Sequence, residues 1–216
     1  MPERFRTLDL HELKASKVYD LLAGLVVPRP IGFVSTVSPE GTPNLAPFSF
    51  FMVGGINPPS LMFCPVLNIE GEPKDSLRNA RETGEFVVNL VTREQAEGMN
   101  EASYAYPSGS DEWKASGFTM LESERVKPSR VAESPVQFEC RLFEVVQHGE
   151  GPSAAVYVIG EIVLAHVLKD MLDSEDRLVS RFKPIARLGG SDYLDLESGK
   201  LFELERPKGP ASSSLD

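Results

Sequence analysis

Four segments carry side chains able to grip an anionic, planar ligand with a polar rim. The first is Arg29-Pro30-Ile31-Gly32-Phe33-Val34-Ser35-Thr36. Read as a strand, it sends Gly32, Val34 and Thr36 to one side and Ile31, Phe33 and Ser35 to the other. A glycine inside a strand marks close approach of a ligand or of backbone, and Arg29 can fork onto a phosphate. The plainer reading is a barrel strand with an exposed arginine. The second segment is Asn44-Leu45-Ala46-Pro47-Phe48-Ser49-Phe50-Phe51. Pro47 has no N–H for a ladder, so this strand is an edge, is bulged or bends there. Its neighbours then keep free backbone groups for the rim of a heterocycle, while Phe48 or Phe50 packs on its face. Three phenylalanines also suit an ordinary core strand.

The third segment, Pro73-Lys74-Asp75-Ser76-Leu77-Arg78-Asn79-Ala80, opens a predicted helix. Its first N–H groups and its dipole favour an anion beside Lys74 and Ser76, each by roughly 0.3–1 kcal/mol. A lysine opposes the dipole unless an anion lies between them; otherwise it is a solvated lysine with Asp75 as the cap. The fourth segment, Ala186-Arg187-Leu188-Gly189-Gly190-Ser191-Asp192-Tyr193, places free backbone at Gly189 and Gly190 near a cation and an aromatic plate. Alone it is a weak turn signal.

Other chemistries find little support. His11, His148 and His166 lie far apart with no metal-ligand spacing, and no Walker loop or GxSxG occurs. Residues 149–154 match GxGxxA, but a strand follows where the dinucleotide fingerprint needs a helix, so a hairpin turn is the better reading. Cys64 and Cys140 stand 76 residues apart in apolar runs and read as buried thiols.

The positioning elements follow from periodicity. Val18, Leu21, Leu22 and Leu25 lie on one helical face, predicting a helix over about 15–25 that Pro28 and Pro30 end. Strands are predicted over 31–37, 44–52, 61–66 and 86–91. A helix over 73–83 is capped by Asp75 or Ser76 and closed by Gly84. Thr92-Arg93-Glu94-Gln95 matches a capping box, predicting a helix over 92–103, and residues 108–117 read as a polar loop holding the only tryptophan. Val136 to Gln147 alternates like a strand with one wet face. Its partner, 154–167, is apolar on nearly every position and should be covered on both faces. Many short strands and few helices favour an antiparallel barrel: mainly β with peripheral helices.

With 216 residues, 41% of them apolar and 25% charged, one globular domain over 1–205 is expected, followed by a disordered tail over 206–216. The net charge of −10, without a basic stripe, argues against nucleic acid or an anionic membrane as the main partner. The absence of an apolar signal core and of a long apolar stretch points to a cytoplasmic protein without membrane contact.

Taken together, RPIGFVST at 29–36, NLAPFSFF at 44–51, PKDS at 73–76 and ARLGGSDY at 186–193 resemble the flavin reductase-like family, in the flavoredoxin and monooxygenase component B branch. The likeness runs in order over about 15–195. It implies an FMN-binding split β-barrel and a homodimer whose flavin site is completed by the partner chain. Its chemistry would be hydride transfer from NAD(P)H to flavin, with reduced flavin or electrons passed to a flavin-dependent oxygenase or another acceptor. The flavin carries the hydride chemistry, so no catalytic side chain is expected.

On this resemblance Lys74, Ser76 and Arg29 would hold the phosphate, with Asp75 at the helix start and Ser35 or Thr36 as hydroxyl partners. Backbone from Ala46 through Pro47, Phe48 and Ser49 to Phe50 would meet the ring, with Asn44 and Ser49 as side-chain contacts. Arg187, Gly189 and Gly190 would close the site. A Gly-Asp-His motif of many relatives is missing: residues 148–153 read HGEGPS, which puts nicotinamide use in doubt. Two other readings stay open, a flavin-binding electron carrier without a nicotinamide site and a split-barrel module for haem or pyridoxal phosphate.

Overall fold

A computed structural model describes residues 4–107 and 110–208. In chain order it has helix α1 (Ala15–Leu25), strands β1 (Arg29–Pro30), β2 (Gly32–Val37), β3 (Pro43–Phe48), β4 (Phe51–Ile56) and β5 (Pro59–Phe63), and helix α2 (Asp75–Thr83). Next come β6 (Glu85–Asn89), α3 (Ala96–Glu101), α4 (Glu112–Ser116), β7 (Met120–Leu121) and β8 (Arg130–Val131). The long hairpin β9 (Val136–His148) and β10 (Ala155–Val167) follows, then β11 (Ile185–Arg187), β12 (Asp192–Asp195) and β13 (Leu201–Glu203).

One antiparallel sheet runs in the order β3-β2-β6-β9-β10-β5-β4. Its two edge strands, β3 and β4, are consecutive in the chain and separated only by Ser49 and Phe50. The three steps from Phe48 to Phe51 reach no more than about 11 Å, so the sheet must curl until its edges come together. The result is a barrel split along the β3–β4 seam. Inside it Val34, Phe48, Phe63, Phe86, Val88 and Val156 are buried together. The alternate residues of β2 and β3 face outward into a second core, where Ile31, Phe33, Leu45, Met99, Trp113 and Tyr193 pack together.

A smaller sheet, β1-β11-β12-β13, lies beside this second core and pairs Arg29 with Arg187 and Pro30 with Ala186. Two of the four sequence segments are thereby cross-strand neighbours. The GxGxxA stretch is the β9–β10 turn, with Gly149 and Gly151 at positive φ.

Several sequence expectations are corrected. The strand expected over 44–52 breaks after Phe48, and Phe51 onward joins the opposite sheet edge, because the chain bends at the seam just past Pro47. Residues 112–116 are helix α4: Asp111 caps it through Lys114 N–H at 3.0 Å, Gly117 closes it at φ 76°, and Trp113 is buried. The wet face expected of β9 is dry at its start. The segment around β7 and β8 covers it, so that Gln137 Nε2 donates to Val131 O, and Glu139 accepts from Glu124 N–H and Arg125 N–H. On β10 Val156, Val158 and Gly160 are buried, whereas Ala155, Tyr157 and Ile159 are half-buried, so only one face is covered within the chain. Both cysteines are free and buried. Of the expected tail, 209–216 lies outside the described residues.

Candidate functional site

A cleft of about 190 Å³ opens where the β3–β4 seam, the start of α2 and the small sheet meet. The seam supplies Pro47, Phe48, Ser49 and Phe50, while Cys64, Pro65 and Val66 form a wall. Lys74 enters from the head of α2, Arg187 and Tyr193 from the small sheet, Met99, Asn100 and Ser103 from α3 and its end, Tyr19 from α1, and Arg206 from beyond β13. The bend and the cationic helix start, distant in sequence, do share one cleft.

Its electrostatics are one-sided. Lys74, Arg187 and Arg206 line it, and no carboxylate does so among the described residues, in a chain of net charge −10. Lys74 is exposed as a residue, yet burial around its ammonium lowers its pKa and nearby Arg206 lowers it further. Such a cluster favours an anion between its members. The Arg187 guanidinium stacks over Tyr193, 4.3 Å from the ring centroid, and donates to Gly190 O. Burial pushes the Tyr193 phenol up, against the opposing pull of Arg187. Burial also raises the Cys64 thiol, partly offset by a backbone bond from Val156 and by Lys74. Tyr19 and Phe50, ring centroids 6.1 Å apart, give the cleft an aromatic side.

The structure gathers Pro47, Phe48, Ser49, Phe50, Lys74 and Arg187 around the cleft and places the other expected residues elsewhere. Arg29 is buried, and its guanidinium donates to the carbonyls of Ala23, Val26 (2.9 Å) and Leu188 (2.5 Å) and to Ser49 Oγ (3.5 Å). It is a strut tying α1 and the small sheet to the seam, with most of its donors committed. Ser35 faces outward and donates to Ser129 O at 2.5 Å. Thr36, Asn44 and Ser76 form a buried chain with Asn79. Asn44 Nδ2 donates to Thr36 Oγ1 and Ser76 Oγ (3.2 and 2.9 Å), and Asn79 Nδ2 donates to Thr36 Oγ1 (3.1 Å).

Neither Asp75 nor Ser76 caps α2, because both already lie inside it; Lys74 holds the cap position with extended backbone, and Asp75 pairs with Arg78 at 2.9 Å. Ala46 packs against the barrel core. The close approach expected at Gly32 is made by Phe51, whose ring would lie 2.9 Å from an added Cβ. At Gly189 the neighbour is the α1 backbone, with Gly24 Cα 3.1 Å from an added Cβ, and Gly190 adopts φ 56°. Sequence reasoning missed Tyr19, Met99, Asn100, Ser103 and Arg206. None stands in a local motif, and long-range packing alone brings them here.

A second, larger groove of about 990 Å³ adjoins the cleft, sharing Tyr19, Ser49, Phe50, Cys64 and Val66 with it. It runs between α1 and the outer faces of β4, β5 and β10, and beside it Met52, Val53 and Ile56 of edge strand β4 are exposed.

Comparison with known proteins agrees with this architecture. The flavin reductase like domain matches residues 24–183. An uncharacterized protein of Halalkalibacterium halodurans is 36% identical over 202 residues, covering 93% of this chain and 96% of that one. Among solved structures, nitrilotriacetate monooxygenase component B from Bacillus cereus superposes with TM-score 0.83 at 34% identity, over 93% of this chain and 98% of that one. Pseudomonas fluorescens 2-nitrobenzoate 2-nitroreductase does so with TM-score 0.79 at 30% identity, over 96% of this chain and the whole of that one. Flavoredoxin of Desulfovibrio vulgaris shares the fold at TM-score 0.65 and 18% identity. The domain match over most of its length, with relatives of 34–36% identity and the shared split barrel, establishes that this chain belongs to the flavin reductase-like family of flavin-linked oxidoreductases.

Proposed function

We propose that this chain binds FMN in the seam cleft and mediates hydride transfer from NAD(P)H, supplying reduced flavin or electrons to a partner such as a flavin-dependent oxygenase. The observation that carries the reading is the cleft's makeup: three cations, no carboxylate among the described residues, and aromatic rings at a sheet edge. Lys74 and Arg206 suit a phosphate, and Arg187 is held over Tyr193 at the same mouth. Phe50 and Tyr19 give a face against which a ring can pack. Bound FMN supplies the hydride-accepting centre, so the chain's task is to orient and shield. The likeness to nitrilotriacetate monooxygenase component B supports an oxygenase as the acceptor.

The cleft is smaller than the roughly 300–1,000 Å³ of small-ligand sites, so one chain would leave much of FMN uncovered. A second copy seated on the adjoining apolar groove and the exposed residues of β4 would complete the enclosure and cover an otherwise open sheet edge. Sedimentation of the purified chain with and without FMN tests this homodimer.

The hairpin tip at 148–153, exposed for the most part and lacking Gly-Asp-His, favours one second reading, a flavin-bearing electron carrier without a nicotinamide site. Anaerobic mixing with FMN and either nicotinamide decides between them. Bleaching of bound flavin supports the reductase, whereas flavin that stays yellow until a protein donor is added supports the carrier. The absorbance spectrum separates flavin from haem and pyridoxal phosphate, and none of the three histidines lines the cleft to serve a haem. A cytoplasmic setting belongs to the same reading; no helix among the described residues is long and apolar enough to cross a membrane.

A further inference from the structure

The flavin reductase like domain ends at residue 183, yet two of the cleft's three cations, Arg187 and Arg206, come after it. Residues 204–206 form a strap along the cleft. Leu204 N–H donates to Ser191 O at 3.0 Å, Asn100 Nδ2 to Glu205 O at 2.7 Å, and Arg206 Nη2 to the Tyr19 hydroxyl at 3.3 Å. The strap so ties the end of the described chain to α3 and to α1. A neutral hydroxyl at that distance is a weak hold on a guanidinium with five donors. Arg206 shares the cleft with Lys74, a like charge whose pKa it lowers, after the larger effect of burial. Two cations brought together cost free energy until an anion joins them, and a phosphomonoester carries about −1.5 to −2 charges at neutral pH.

We propose that Arg206 is a specificity-determining residue of the cleft: together with Lys74 it reads the terminal phosphate of the ligand, so that the chain selects a phosphorylated flavin over an unphosphorylated one. The inference deepens the flavin reading and rests on it. Lys74 marks the anion position from within the family domain, and the strap adds a second cation from outside it. Riboflavin shares the ribityl and ring portions of FMN but lacks the phosphate, so it presents no anion for Arg206 to read. Part of the selectivity for the phosphate resides in Arg206, at the exposed end of a strap whose Leu204 packs on the second core. Arg206 is exposed, and its replacement removes a charge without unpacking a buried group.

The test titrates FMN and riboflavin into the full chain and into Arg206→Ala and Arg206→Lys, following flavin fluorescence at low salt. Arg206→Ala is expected to weaken FMN about tenfold, the lower end for a charge-assisted bond, and to leave riboflavin unchanged; Arg206→Lys recovers part of the loss. An equal loss for both flavins, or none for FMN, overturns the proposal. If neither flavin binds the unaltered chain, the flavin reading fails, and the strap is judged with inorganic phosphate alone. A rise in melting temperature that Arg206→Ala abolishes keeps Arg206 as an anion reader, while the same response in both chains, including none, removes it.

Discussion

Lys74 and Ser76 stand two residues apart at the head of α2, and their removal is expected to have opposite consequences. A charge-assisted bond to phosphate contributes about 1.5–3 kcal/mol, roughly ten- to 150-fold in affinity at 1.4 kcal/mol per decade. For Lys74→Ala the lower end applies. The residue as a whole is exposed, and its loss also relieves the repulsion from Arg206. FMN binding should therefore fall about tenfold, and the deficit should shrink with added salt, since the screening length is already about 10 Å at 0.1 M. Ser76 is 2% exposed, and its hydroxyl accepts from Asn44 Nδ2 at 2.9 Å. Ser76→Ala leaves FMN affinity almost unchanged but strips a partner from a buried amide, at a cost of about 1–3 kcal/mol in folding stability. Fluorescence titration with FMN and riboflavin, paired with urea unfolding of both variants, separates the two effects. A Ser76→Ala chain that loses FMN as severely as Lys74→Ala, or a Lys74→Ala chain that loses riboflavin equally, refutes the assignment of the anion to Lys74.

Three further outcomes are expected. Arg29→Met leaves the carbonyls of Ala23, Val26 and Leu188 short of a donor and lowers stability by about 2–4 kcal/mol, with Arg29→Lys recovering only part; an unchanged urea midpoint contradicts the strut. Glu112 is pushed up to about 7 by burial, then by Asp75 and Asp111, and its buried Oε2 has no hydrogen-bond partner among the described residues. A carboxyl raised in the fold loses stability as pH climbs from its unfolded value near 4 towards 7, so Glu112→Gln should raise the melting temperature more at pH 8 than at pH 5, and an equal effect at both pH values contradicts it. Gly160→Ala puts a Cβ 2.3 Å from Phe86 Cζ inside the barrel and should lower stability by about 1–3 kcal/mol or more; calorimetry showing no drop means that Phe86 can swing away.

Much of the architecture was legible because its signals are local. The helix expected over about 15–25 is Ala15–Leu25, Gly84 closes α2 in the left-handed conformation, and the Thr92 box forms, with Gln95 Oε1 accepting Thr92 N–H at 2.8 Å. Pro47 announced an edge strand by its missing donor, and β3 is one. What escaped depends on partners remote in sequence. Arg29 reads as a phosphate fork until carbonyls from residue 23 and residue 188 converge on it. Glu139 alternates like a solvated residue, and only the covering loop at 124–125 makes it buried. Arg206 sits in a Pro- and Gly-rich stretch whose composition suggests disorder, yet long-range contacts with α1 and α3 bring it to the cleft.

The two-residue connection from β3 to β4 works as a ruler. Because Ser49 and Phe50 alone span the gap between the outermost strands, inserting residues there would let the margins of the sheet drift apart and carry away the floor on which a ligand would rest. Remodelling this chain for a different guest is therefore a matter of exchanging side chains at fixed spacing, or of redesigning the flanking strap, and never of lengthening that joint.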